Sequence, residues 1–261
     1  MAGHAEFMTT TIAVLSDIHG MLFALEQVLE EPAVLTAELI VVTGDHTWGP
    51  QPAEVLDRLI ELGDRAVLLR GNADRELLQM AQGIDVGLND DPLSVWGAAQ
   101  LTPTHLELLT DMPEQLILDV QGFGPVLFCH ATPRNDEEVV LVDSRPDRWN
   151  EVLRDTPTEV RTVVCGHTHM PFMRLAGNRL MINPGSVGLP YGRSGAHWAL
   201  LRDGAVTFSR TMIDTEQLIE DAQTGSTFPQ VANWLDEAVR HPATTSDALR
   251  AFGPRDGRPL S

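Results

Sequence analysis

Short, almost continuous apolar runs open the chain and alternate with segments of helical spacing. Residues 11–17 (TIAVLSD), 39–45 (LIVVTGD) and 66–72 (AVLLRGN) are rich in β-branched residues, and each ends in glycine or polar residues. This pattern predicts buried strands. Between them, residues 22–29 and 53–62 place apolar side chains at helical spacing, with Glu, Asp and Arg at the other positions. The resulting βαβαβ opening predicts three parallel strands.

The second half has a different rhythm. Strand-like runs recur at residues 116–120, 126–130, 161–166, 179–183, 197–202 and 205–210, with few long helical stretches between them, and predict a second sheet. Asp203-Gly204 between the last two runs predicts a hairpin. Residues 83–104 and 131–150, rich in Pro and Asp, are expected to form loops or a helical cap near the site. Two helix-like parts fill 214–240, and 243–261 reads as a weakly ordered tail. Residues 8–242 are therefore expected to make one domain. Residues 1–7, ahead of a second methionine, Met8, are read as a remnant outside it.

Charge narrows the partners. Eighteen Lys and Arg against 37 Asp and Glu give a formal net charge of −19, which should repel extended nucleic acid and anionic membranes. Clustered carboxylates are costly unless a cation neutralises them, so bound cations would convert part of this charge into a locally positive site for a small anion. Cys129 and Cys165 each close an apolar run just before a histidine and read as buried thiols in a reducing compartment, not as a disulfide framework. No uninterrupted apolar stretch is long enough to span a membrane and no secretory pattern opens the chain, so a cytoplasmic location is expected.

The candidate chemistry sits where the predicted strands end. Asp17 and His19 (SDIHG), Asp45 (TGD), Asn72 (RGNAD), His130 (FCH), and His167 and His169 (CGHTH) follow five runs in order. In open α/β sheets the crevice beyond the carboxyl ends of the strands is where ligands bind. Two extended residues at i and i+2 project to the same side, so Asp17 and His19 can reach one ion together. Asp45 is the best candidate for a carboxylate shared by two ions. Carboxylate, amide oxygen and imidazole together suit Mn, Fe, Zn or similar ions and not Ca or a thiolate-bound metal, and ligand type does not choose among them; Mn is the favoured ion, with Fe, Zn, Ni or Co as alternatives. Two such ions can carry a bridging hydroxide and orient a phosphoryl group for in-line attack.

With these residues in place, the sequence resembles the calcineurin-like metallophosphoesterase family, whose motifs run D-x-H, G-D, G-N-H-D/E, H and G-H-x-H. Residues 183–186 (NPGS) extend the likeness toward small bacterial and archaeal phosphodiesterase-type members. The resemblance implies an α/β fold, a four-layer αββα sandwich of two mixed sheets flanked by helices. It implies one ion held by Asp17, His19, Asp45 and His169, and another by Asp45, Asn72, His130 and His167. The implied activity is hydrolysis of small phosphodiesters, such as cyclic nucleotides, by the bridging hydroxide, with Asn72 and His130 also placing the phosphate.

One position departs from the family pattern. Ala73 stands where many members carry a histidine that protonates the leaving group, so Asp74 lacks its imidazole partner and His46 is the nearest substitute in sequence. Arg134, Asn183, Gly185 and Ser186 are candidate phosphate contacts, through a bidentate guanidinium and a glycine-containing turn. Arg134 reads equally well as a solvated loop charge. His4, His105 and His197 have no motif around them and read as structural. Trp48, Trp96, Trp149 and Tyr191 can stack on a base, although burial in the core is the ordinary role of any one of them. The competing classes are a phosphatase acting on monoesters, phosphoproteins or dinucleoside polyphosphates, and a metal-free scaffold. The first is expected to carry the histidine missing at Ala73, and the second to lack several of the seven ligands.

Overall fold

The apolar opening runs become a parallel core in the computed structural model, which describes residues 9–257. The chain begins with β1 (Thr11–Leu15), α1 (Leu22–Leu29), the short α2 (Pro32–Leu35), β2 (Leu39–Val42), α3 (Pro52–Glu61) and β3 (Ala66–Leu68). Ile12 pairs with Leu39 and Ile40 with Ala66, both in parallel register. A helical layer follows, comprising α4 (Asn72–Ala81), α5 (Pro92–Gln100) and α6 (Pro103–Asp111). Residues 83–104, expected as a cap, hold the loop before α5, α5 itself and the start of α6. Asp91 caps α5 by accepting from the Ser94 amide at 3.1 Å.

The second half supplies β4 (Gln115–Val120), β5 (Gly124–Cys129), α7 (Pro146–Val152), β6 (Thr162–Val164), β7 (Phe172–Ala176), β8 (Arg179–Asn183), β9 (Ala196–Arg202) and β10 (Ala205–Thr211). Strand order is β10-β9-β1-β2-β3 in one sheet and β4-β5-β6-β8-β7 in the other. Both sheets are mixed, because β9 and β10 are antiparallel additions to the first and β4 and β7 to the second. The hairpin at Asp203-Gly204 forms, but it joins the first sheet. Six of the seven β9 residues are buried, which fits an interior strand between β1 and β10 and not an edge of the second sheet.

Ile12, Val14, Val41, Val126, Phe128, Val164 and Ile182 interlock between the sheets. Helices α1 and α3 cover the outer face of the first sheet, together with α8 (Thr215–Gly225). On the outer face of the second sheet, α7 packs Trp149 and Val152 against Leu127, Cys129, Val163 and Cys165. Four layers result, αββα, as expected. Both thiols are buried, and burial pushes that of Cys165 up to about 12. Among the described residues, no helix is long and apolar enough to cross a membrane.

The end of the chain departs from expectation. After α9 (Val231–Leu235) and a π-helical turn over Asp236–Arg240, residues expected as a weakly ordered tail form α10 (Thr245–Phe252) and a 3-10 turn, Gly253–Asp256. A capping box between Thr244 and Asp247 starts α10, and Ala248 is buried. The polar composition concealed a capped helix. Residues 1–8, including His4, and residues 258–261 lie outside the described part.

Candidate metal centre and active site

All five strand-end motifs converge at one edge of the sandwich, where the loops after β1, β2, β3, β5 and β6 meet. These loops are zipped by backbone bonds: the Asp17 amide donates to Gly44 O at 3.0 Å, His19 to Asp45 O at 3.0 Å and Gly166 to His130 O at 2.6 Å. Close approach explains two glycines. A Cβ on Gly71 would lie 2.2 Å from Asp45 Oδ1, and one on Gly166 would lie 1.9 Å from Ser16 Oγ. Asp17, His19, Asp45, His167 and His169 all adopt φ between +50° and +68°, the left-handed region that non-glycine residues avoid.

Two trios form there, Asp17–His19–His169 and Asp45–His130–His167, each with its ligand atoms within 4.8 Å of one another. Asp45 Oδ2 lies 3.3 Å from His130 Nε2 and 3.7 Å from His19 Nε2, so it touches both. The Asn72 amide, at the N-terminus of α4, lies 3.0 Å from His167 Nδ1 and 3.3 Å from His130 Nε2. All seven ligand-type residues expected from the sequence are therefore in one place.

The donor set fits divalent ions. His130 Nδ1–H donates to Thr43 O at 2.9 Å and His169 Nδ1–H to Leu189 O at 2.7 Å, which turns each Nε2 inward. His19 Nε2 and His169 Nε2 are 3.1 Å apart, a separation that requires a proton or a cation between them. His19 Nδ1 and His167 Nε2 are buried with no hydrogen-bond partner. Burial and then the neighbouring His130 charge push His167 down to about 3, and burial with His169 lowers His19. Burial opposes protonation of His130, but Asp45 outweighs it and lifts the ring to about 10; Asp17 does the same for His169. Burial disfavours ionisation of Asp17 and Asp45, yet the facing imidazoles hold both carboxyls below their ordinary range. In each trio one imidazole is pushed down by burial and its neighbouring imidazole, and the other is pushed up by the carboxylate facing it. A cation bound between these groups would compete with a proton for the same nitrogen and oxygen atoms.

Residues 10–203 match the family model described as the calcineurin-like phosphoesterase superfamily domain. The chain belongs to this superfamily. It is 29% identical over 195 residues to phosphodiesterase YfcE of Escherichia coli strain K12, covering 71% of this chain and 84% of the relative. A metallophosphoesterase from Sphaerobacter thermophilus shares the fold, with TM-score 0.68 and 24% identity over 88% of this chain and 100% of that one. So does hypothetical protein PH1004 of Pyrococcus horikoshii OT3, at TM-score 0.71 and 21% identity, covering 86% and 97%. As a calcineurin-like phosphoesterase the chain is a hydrolase of phosphoric esters. The family uses a dinuclear divalent metal centre, and the two trios are the candidate positions for it.

Several residues that sequence reasoning assigned to catalysis or substrate lie elsewhere. His46 is fully buried, its Nε2 2.9 Å from Leu69 O, and it does not line the cavity above the trios. Walled in beneath the loop, it cannot reach a leaving group. Asp74 is also fully buried and accepts five hydrogen bonds: from the amides of Gly71, Asp45, His46 and Thr47 and from the Thr47 hydroxyl. It positions the loop that carries Asp45. Arg134 is ion-paired with Glu138 and Glu151 away from the cavity. Asn183 donates to Gly166 O at 2.7 Å, its Oδ1 accepts from the Gly185 amide at 2.9 Å, and Ser186 Oγ donates to Asp17 O at 2.7 Å. All three of these NPGS residues are buried, so the run buttresses the metal loops from below. His105 caps α6 and pairs with Asp57 at 2.9 Å, and His197 Nε2 lies 3.2 Å from Arg193 O, both structural. Trp149 is core, and Trp96 packs on Phe228 away from the trios.

A cavity of about 630 Å³ opens over the trios. Trp48 and Tyr191 line it, as do Glu76, Asp91, Trp234, Glu237, Phe252 and Arg255. Residues 131–150, expected as part of the cap, contribute no lining residue; the wall comes from the end of the chain. Sequence reasoning missed Trp234, Phe252 and Arg255. The usable signal was the Thr244–Asp247 capping box, which marks a helix where composition suggests a tail.

Proposed function

We propose that this phosphoesterase hydrolyses small phosphodiesters at a centre of two divalent transition-metal ions. The carrying observation is the paired trios with Asp45 against both. Asp17, His19, Asp45 and His169 would hold one ion, and Asp45, Asn72, His130 and His167 the other. Bound there, the ions supply positive charge that polarises the phosphoryl group and acidifies the attacking water. The chain does the rest: the N-terminus of α4 presents the Asn72 amide and the positive end of its dipole to the anion. Asp45 is held for its role by the Asp74 carboxylate on its amide and by the Ala73 amide on its Oδ1, both at 2.9 Å.

The rim favours a diester over a monoester. Among the described residues Asp91 and Glu237 line the cavity against one arginine, so a monoester dianion meets more repulsion than a diester monoanion. Ala73 also leaves its position without the imidazole that the monoesterase alternative is expected to carry. Metal-free protein reloaded with Mn should hydrolyse bis(p-nitrophenyl) phosphate with at least tenfold higher kcat/KM than p-nitrophenyl phosphate. The reverse preference supports a monoesterase, and hydrolysis of neither with Mn, Fe, Zn, Ni or Co overturns the reading.

A further inference from the structure

The wall built by the end of the chain lies beyond residues 10–203, the part that matches the superfamily. Two series of ring contacts run to it from the ion-binding histidines. His19 meets Trp48 edge-on at 5.7 Å, and Trp48 meets Trp234 at 6.2 Å. His169 stacks on Tyr191 at 5.3 Å, and Tyr191 meets Phe252 at 6.0 Å. These four outer rings are only half-buried and line the cavity, whereas Trp149 and Trp198 are sealed in the core at 1% and 3% exposure.

Among the described residues Arg255 is the one Lys or Arg that lines the cavity, in a chain whose 18 cationic residues are all arginine. Its guanidinium sits 5.8 Å over the Phe252 ring and donates to Glu137 O at 2.9 Å. The wall is anchored. Asp256, 4% exposed, accepts from Ser144 Oγ at 2.5 Å, and the Gly192 amide donates to Ala243 O at 3.1 Å.

Half-buried aromatic faces around a cavity of this size suit a planar aromatic group, and stacking on such rings is the ordinary way proteins hold bases without reading their sequence. The cation placed among them suits the anionic oxygen of the same ligand. We propose that residues 231–255 form the base-recognition wall of a nucleotide site. A nucleobase packs among Trp48, Tyr191, Trp234 and Phe252, Arg255 meets a phosphate oxygen, and the substrate class is a nucleoside phosphodiester. This assignment rests on the phosphodiesterase reading above.

The test compares two diesters with the same leaving group, thymidine 5′-(p-nitrophenyl phosphate) and methyl p-nitrophenyl phosphate, on Mn-loaded protein. Wild type should favour the thymidine ester in kcat/KM by about tenfold or more. Phe252→Leu and Trp234→Leu should each lower that ratio by about tenfold, mainly through KM, while Phe252→Tyr retains it. Because the ratio is taken within one protein preparation, partial misfolding cancels. A wild-type ratio near one, or an unchanged ratio in both Leu variants, overturns the assignment. Hydrolysis of neither ester defeats the phosphodiesterase reading instead. Titration then judges the wall alone: thymidine 5′-monophosphate binding tenfold tighter than ribose 5-phosphate supports it, and equal binding overturns it.

Discussion

The strand-end edge and the outer wall of the same cavity are built on different principles. At the edge, Asp17, His19, Asp45, His130, His167 and His169 are all buried and fixed by loops that bond to one another directly after β-strands. At the wall, Trp234 and Phe252 are half-buried, Arg255 is exposed, and short helices near the end of the chain carry them. The contrast separates two tasks. Chemistry needs fixed positions, which paired sheets provide; selecting a substrate needs surface that can differ between relatives, which peripheral helices provide.

The sharpest way to break this partition is Asp45→Asn. It should lower kcat roughly 10³-fold and bring the ion content from two per chain toward one by elemental analysis, because Asp45 touches both trios. Unchanged turnover would show that the edge does not carry the chemistry. Asp74→Asn should cost less, about 10–100-fold in activity, since it acts through the loop it holds, and about 2–3 kcal/mol in denaturant unfolding of the metal-free protein. If turnover drops without a stability change, Asp74 has a direct role that its burial argues against.

The smallest effect belongs to Glu76, on the rim between the two regions. Burial, opposed by Arg75 and reinforced by the Asp45, Glu137 and Asp136 charges, raises its carboxyl from 4.5 to about 7. The folded state then keeps a proton that the unfolded chain releases near pH 4.5, so this group makes stability fall as pH rises from about 4.5 to about 7. Glu76→Gln should raise Tm at pH 8 by about 2 °C, allowing for solvent screening, and leave it unchanged at pH 4. A uniform shift at both pH values would show that ionisation is not the cause.

The edge was legible because each candidate-ligand motif follows an apolar strand, so periodicity and chemistry mark the same place. The Asp203-Gly204 turn was legible too, but turn chemistry fixes a hairpin and not its neighbour, and β9 paired with β1. Strand β7 was missed because it is an edge strand whose Met173 and Leu175 face outward, blurring the alternation that would reveal it. Residues 183–186 were misread for a physical reason: glycine turns that cradle phosphate and glycine turns that support a neighbouring loop have the same composition. His46 and Asp74 looked catalytic because they adjoin ligands in sequence, and the hydrogen bonds that bury them are visible only in three dimensions. The wall is the least legible part: the Thr244–Asp247 capping box marks the helix that carries Phe252, but that Trp234 and Phe252 reach the cavity depends on long-range packing.

The left-handed backbone at Asp17, His19, Asp45, His167 and His169 bears on how such a protein can change over generations. Each of these residues occupies a conformation that glycine adopts freely and that costs other residues about 1 kcal/mol or more. Substitution by glycine at any of them would relieve strain while removing a candidate ligand. Stability and activity therefore pull in opposite directions at five of the seven positions. A lineage released from selection for catalysis would gain robustness by losing these candidate ligands first, and the sandwich itself would outlast the reaction it was built around.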